Sequence, residues 1–113
     1  MSIFEFFKNI KTEDKEIPNF DKSDFIRKHF IFKGRVQGVG FRYTLYDISN
    51  KIGLTGKVRN LYDGTVEAEI QGEIDKIEYV INYMKNRQFI GIDEIETKKI
   101  DLVTGEKEFI IDN

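Results

Sequence analysis

Apolar side chains recur at regular intervals from His29 onward, and the period changes from element to element. Phe30 and Phe32 alternate with Ile31 and Lys33, the two-residue period of a strand whose Phe side faces a core, and this strand runs into Gly34. Phe41, Leu45, Ile48 and Ile52 follow at spacings of four, three and four, the stripe of an amphipathic helix, with Gly53 placed to cap its C-terminus. A strand near Leu54–Asn60, a turn through Leu61–Gly64 ending in Asp-Gly, and a strand alternating Val66, Ala68 and Ile70 with Glu67, Glu69 and Gln71 predict a hairpin. Ile74, Ile77, Ile81 and Met84 mark a second helix from about Glu73 to Asn86, and strands around Glu94–Leu102 and Glu108–Ile111 finish the chain. The order strand, helix, strand, strand, helix, strand predicts a ferredoxin-like (βαββαβ) α+β sandwich, an antiparallel sheet with two helices on one face, plus a short terminal strand.

The region Met1–Lys28 reads differently, as an N-terminal extension ahead of a domain over 29–113: it holds the only proline, Pro18, and a polar stretch from Lys11 to Glu16. Ile3, Phe6, Phe7 and Ile10 recur at helical spacing, so a short amphipathic helix is expected there. Such a stripe normally buries itself, which points to the protein's own surface or to self-association, with a separate protein partner or a membrane surface as the alternatives. Glu5 and the sparse Lys content argue against an anionic membrane surface.

Composition narrows the function classes. A formal net charge of -2 lacks the basic excess that holds a nucleic-acid backbone, so no nucleic-acid partner is expected. The absence of Cys removes thiolate metal sites and cysteine nucleophiles. No apolar run reaches the roughly 18 to 20 residues of a membrane span, and the first residues lack the basic region and cleavage site of a signal peptide, so a cytoplasmic protein is expected. His29 is the only histidine, which rules out a His-rich metal site and leaves a structural or solvent-facing role as the simpler one. Asp93, Glu94 and Glu96 read as a solvated face, and Asp63-Gly64 as turn chemistry.

The chemistry concentrates between the first strand and first helix. Gly34-Arg35-Val36-Gln37-Gly38-Val39-Gly40-Phe41-Arg42 carries three glycines in seven positions just ahead of a helix. Such a backbone adopts φ > 0, turns successive N–H groups into one concavity, and adds the positive end of the helix. Arg42 supplies a guanidinium suited to phosphate or carboxylate oxygens. On these residues alone an anion cradle and a plain tight turn with an exposed Arg are equally weighted, and Asn60 is a turn residue.

The string GRVQGVGFR from Gly34 to Arg42, followed by TGKVRNLYDGTVE from Thr55 to Glu67 and QGE from Gln71 to Glu73, resembles the acylphosphatase family over about Phe30 to Ile111. The resemblance implies a metal-independent, cofactor-free enzyme that hydrolyses small acyl phosphates to a carboxylate and inorganic phosphate, with water as the nucleophile. It implies that Arg42 binds the phosphoryl group, that Asn60 positions the attacking water, and that the amides of Arg35, Val36, Gln37, Gly38, Val39, Gly40 and Phe41 form the phosphate cradle. That division of labour suits the chemistry, because an acyl phosphate already carries a good leaving group and needs mainly charge neutralisation and a water in line.

Two departures from the family pattern carry expectations of their own. Lys57 stands where the family usually has an aromatic residue, so a packing group near the site is expected to be missing. The ending Phe109–Asn113 differs from the family's aromatic-and-basic terminus. A non-catalytic anion-binding or interaction module built on the same fold is the competing reading, and an RNA-binding sheet is disfavoured because Phe30 and Phe32 read as core.

Overall fold

The computed structural model of the chain describes residues 24–113. The candidate helix carrying Ile3, Phe6, Phe7 and Ile10 lies outside the described residues. The elements are β1 (Phe25–Arg35), α1 (Phe41–Lys51), β2 (Thr55–Asn60), β3 (Val66–Glu73), α2 (Ile74–Lys85), β4 (Gly91–Ile100) and β5 (Phe109–Ile111). They build one sheet in the order β4-β1-β3-β2-β5. Each neighbouring pair among β1 to β4 is antiparallel, and β5 adds to the β2 edge in parallel, pairing Gly56 with Phe109 and Val58 with Ile111. The sheet is therefore mixed rather than wholly antiparallel, because the terminal strand returns along an edge that hairpin pairing leaves open.

Strand alternation divides the sheet into two faces. Phe30, Phe32, Val58, Val66, Ala68 and Ile70 are buried on the face that the helices cover. The helices complete this core with Phe41, Leu45 and Ile48 from α1, the stripe its helical period selects, and with Ile77, Val80 and Met84 from α2, where Ile74 and Ile81 of the expected stripe are only partly buried at its edge. Helix α1 stops as its sequence predicts. Gly53 N–H donates to Asn50 O at 3.3 Å and Leu54 N–H to Ser49 O at 2.9 Å, the paired bonds of a Schellman turn.

β1 begins at Phe25, four residues earlier than the strand start expected at His29. The pairing with β3 runs back to Phe25 opposite Glu73, and within this extra length Arg27, a charged residue, is 1% exposed. Its guanidinium donates to Glu69 at 3.0 Å, to Gln71 at 3.0 Å and to both carboxylate oxygens of Glu106 at 2.8 and 3.2 Å. A buried charge persists only when paired and hydrogen-bonded, and here the partners come from β3 and from the connection between β4 and β5. Further pairs lie on that face: His29 Nε2 meets Glu67 at 2.9 Å, Arg59 meets Glu67 at 2.7 Å, and Lys33 meets Glu96 at 2.8 Å.

Candidate active site

The loop after β1 is fixed at both ends by core packing. Val36 and Phe41 are each 1% exposed, and the Phe41 ring lies 4.8 Å from that of Phe32. Between these anchors Gly38 and Gly40 adopt φ of +73° and +79°, while no non-glycine among the described residues has positive φ. Left-handed glycines alternating with Val39 curl successive N–H groups toward one side, the geometry that binds anions. A Cβ on Gly38 or Gly40 would meet nothing within 4 Å, so these positions require glycine for backbone conformation while the space beside them is open.

Gly40 is also the N-cap of α1. No side chain caps this helix start and its first turn holds no acidic residue, so its amide donors and positive end face outward. Thr44 secures the turn from the far side, its N–H and Oγ1 donating to Gly40 O at 3.0 and 2.7 Å.

A concavity of about 240 Å³ opens here. Val36, Gly38, Gly40, Phe41 and Arg42 line it from the loop and helix start, and Asn60 reaches it from the end of β2. Tyr43 and Ile111 complete the rim. Arg42 is the one charged side chain among those lining residues, and its Nη1 donates to the main-chain oxygen of Asn113. Asn60 Oδ1 is shielded from solvent yet accepts no hydrogen bond from the described residues.

A neighbouring hollow of about 640 Å³ shares Asn60 and is lined by Gln37, Arg59, Leu61, Tyr62 and Asn113. Thus Arg42, Asn60, Val36, Gly38, Gly40 and Phe41 converge on one concavity, Gln37 faces the adjoining one, and Arg35 and Val39 line neither. Arg35 is the last residue of β1 and is exposed, and Val39 packs against the core.

Sequence reasoning missed three contributions. Tyr43 and Ile111 were not singled out as rim residues, although Tyr43 directly follows Arg42; Ile111 needed the β2–β5 pairing, which no local signal announces. The side chain of Gln37 was also missed. Its Nε2 donates to Leu61 O and to Thr65 O, both at 2.8 Å, tying the glycine loop to the hairpin turn that follows Asn60.

The expectation about Lys57 is corrected. Lys57 is exposed between buried Gly56 and Val58, which puts its side chain on the open face of the sheet opposite Glu69, away from the residues that line the concavity. Its replacement of an aromatic residue therefore leaves the packing around Arg42 and Asn60 untouched. Glu94 and Glu96 are solvent-facing partners of Lys33, at 3.5 and 2.8 Å, and Asp63 accepts from Thr65 N–H and Oγ1 at 3.0 and 2.6 Å to lock the turn. Among the described residues no three acidic, His or Cys side chains gather at metal-binding spacing, and no helix is long and apolar enough to cross a membrane.

Comparison with known proteins bears directly on this geometry. The acylphosphatase family model matches residues 28–111. An acylphosphatase of Clostridium beijerinckii is 40% identical over 87 residues, covering 76% of this chain and 97% of that protein. One from Trichormus variabilis is 50% identical over 62 residues, a match spanning 55% of this chain and 61% of that relative's length. The crystal structure of acylphosphatase from Bacillus subtilis superposes with a TM-score of 0.70 at 32% identity, over 76% of this chain and 97% of that one. With the glycine loop, Asn60 and every element but the first residues of β1 inside the matched span, the chain belongs to the acylphosphatase family.

Proposed function

We propose that the protein is an acylphosphatase that hydrolyses small acyl phosphates at the concavity between the glycine loop and the end of β2. The observation that carries this reading is convergence: the stretch from Gly38 to Arg42 and Asn60 at the end of β2 come from two separate segments and line the same small space. The loop amides and the Arg42 guanidinium neutralise the equatorial phosphoryl oxygens, where charge is spread in the transition state. Asn60, which lines the same concavity, orients a water toward phosphorus through its side-chain amide.

The water oxygen bonds to phosphorus as the bond from phosphorus to the acyl oxygen breaks. The electron pair leaves on the carboxylate, and the protons of the water end on phosphate, giving a carboxylate and dihydrogen phosphate. A carboxylate is a weak base and departs without protonation, which matches a concavity lined by no Asp, Glu or His. A cytoplasmic location belongs to the same reading, supported by a cysteine-free sequence compatible with a reducing compartment.

The test is hydrolysis of benzoyl phosphate in oxygen-18 water. The expected result is inorganic phosphate carrying one labelled oxygen and unlabelled benzoate. Label in the benzoate would mean attack at the carbonyl carbon and would overturn the assignment of Arg42 and Asn60 to phosphorus.

A further inference from the structure

We infer that Gln37 is a positioning residue, which holds Asn60 at the correct distance from the phosphate cradle through its side-chain amide. The inference rests on the reading of Asn60 as the group that orients water. Gln37 sits in the glycine loop, but its side chain turns away from the concavity of Arg42 and is half-buried against the β2–β3 turn. Both hydrogens of its –NH2 are used: one bond reaches Leu61 O and the other Thr65 O, each at 2.8 Å. These are the carbonyls at the mouth of the turn, where Leu61 N–H also donates to Thr65 O at 2.9 Å.

The remainder of the turn is self-contained. Gly64 N–H donates to Leu61 O at 3.2 Å, and Asp63 accepts from both the amide and the hydroxyl of Thr65. The turn therefore moves as a unit, and Asn60 is bonded directly to its first residue. Cradle and Asn60 belong to segments more than a helix apart in sequence, and the Gln37 amide ties one to the other beside the site. Two donors on one side chain are needed to make both bonds, and an ionised carboxylate of the same length, which has acceptors only, makes neither.

Loss of this tie is expected to act on turnover rather than on phosphate affinity, because the cradle and Arg42 are held by other contacts. A reacting group displaced by about 1 Å costs up to about 100-fold in rate. The experiment compares kcat, KM and the inhibition constant of inorganic phosphate for the full-length parent, Gln37→Met, which keeps the bulk without the donors, and Gln37→Glu, which faces the two carbonyls with acceptors. Each change is also made in the Asn60→Ala background. Expected are a kcat loss of about 10- to 100-fold for Gln37→Met, a larger one for Gln37→Glu, phosphate inhibition within about threefold of the parent, and less than about threefold further loss when Asn60 is already Ala. Multiplicative losses in the double variants, phosphate affinity falling in step with kcat, or a fully active Gln37→Glu would overturn the role of Gln37 while leaving an active acylphosphatase. A parent without acyl phosphate hydrolysis would instead remove the reading on which the role depends.

Discussion

Replacing Gly38 or Gly40 with Ala separates what the backbone of the loop requires from what its surroundings require. Both residues sit at φ between +73° and +79°, and neither would bring a Cβ within 4 Å of another group. The only penalty is conformational, roughly 1–2 kcal/mol for an L-residue held in the left-handed region. For a domain of this size about 1 kcal/mol moves the melting temperature by about 4–8 °C, so each substitution should lower it by roughly 4–16 °C and leave a folded protein at 25 °C.

Gly56→Ala is the internal contrast: its Cβ would lie 1.9 Å from Glu69 O and 3.1 Å from the Phe109 ring, so β2 must separate from β3 and β5. That change should cost at least about 4 kcal/mol, at the extreme of single substitutions. Relief of the strain at Gly38 or Gly40 would swing amides out of the cradle, and loss of one aimed donor is worth on the order of 100-fold in rate. Differential scanning calorimetry and phosphate release on the same samples measure both terms. Equal melting shifts for Gly38→Ala and Gly56→Ala, or Gly38→Ala with unaltered turnover and phosphate affinity, would refute the separation.

Two further outcomes concern the open face of the sheet. Arg27→Ala leaves Glu69 and Glu106 facing a vacated, shielded position and should cost about 3–5 kcal/mol in urea unfolding, the range for breaking one side of a buried pair; a loss below about 1 kcal/mol would show the network to be solvated. The hydrogen bond from His29, helped by Arg59, holds the Glu67 carboxyl below the ordinary carboxylate range. Burial opposes the charge on Glu106, but the Arg27 hydrogen bond and charge bring it below that range as well. A carboxyl depressed in the folded state contributes stability above its unfolded value, about 4.3, and that contribution is lost as pH falls through the folded value. Melting temperature should therefore hold near neutrality and decline below about pH 4.5, with a shallower decline in Glu67→Gln and Glu106→Gln; a melting temperature constant down to pH 3 would contradict the pairing.

Much of the fold was legible because its signals are local. The stripe Phe41, Leu45, Ile48, Ile52 with Gly53 behind it gave α1 and its Schellman end, and Asp63-Gly64 between two alternating runs gave the hairpin. The early start of β1 was hidden because Arg27 is neutralised by Glu69 and Glu106, 42 and 79 residues away, and a local pattern reads it as surface. The position of Lys57 was available in principle. In Thr55–Asn60 the alternation assigns Gly56, Val58 and Asn60 to one face and Lys57 and Arg59 to the other, so the residue two before Val58's neighbour Arg59 had to point away from Asn60. From spacing alone the glycine loop read equally as an anion cradle and as a plain turn, whereas its tie to the turn after Asn60 runs through the side chain of Gln37, and the rim residue Ile111 depends on a parallel strand contributed from the far end of the chain.

The most direct measurement is steady-state release of inorganic phosphate from benzoyl phosphate by the parent chain, Arg42→Ala and Asn60→Ala. Hydrolysis by the parent with a loss of at least about 100-fold in kcat/KM for Arg42→Ala, and a comparable loss carried by kcat for Asn60→Ala, is the predicted result. A parent that releases no phosphate above the uncatalysed rate, or an Arg42→Ala variant as active as the parent, would contradict it.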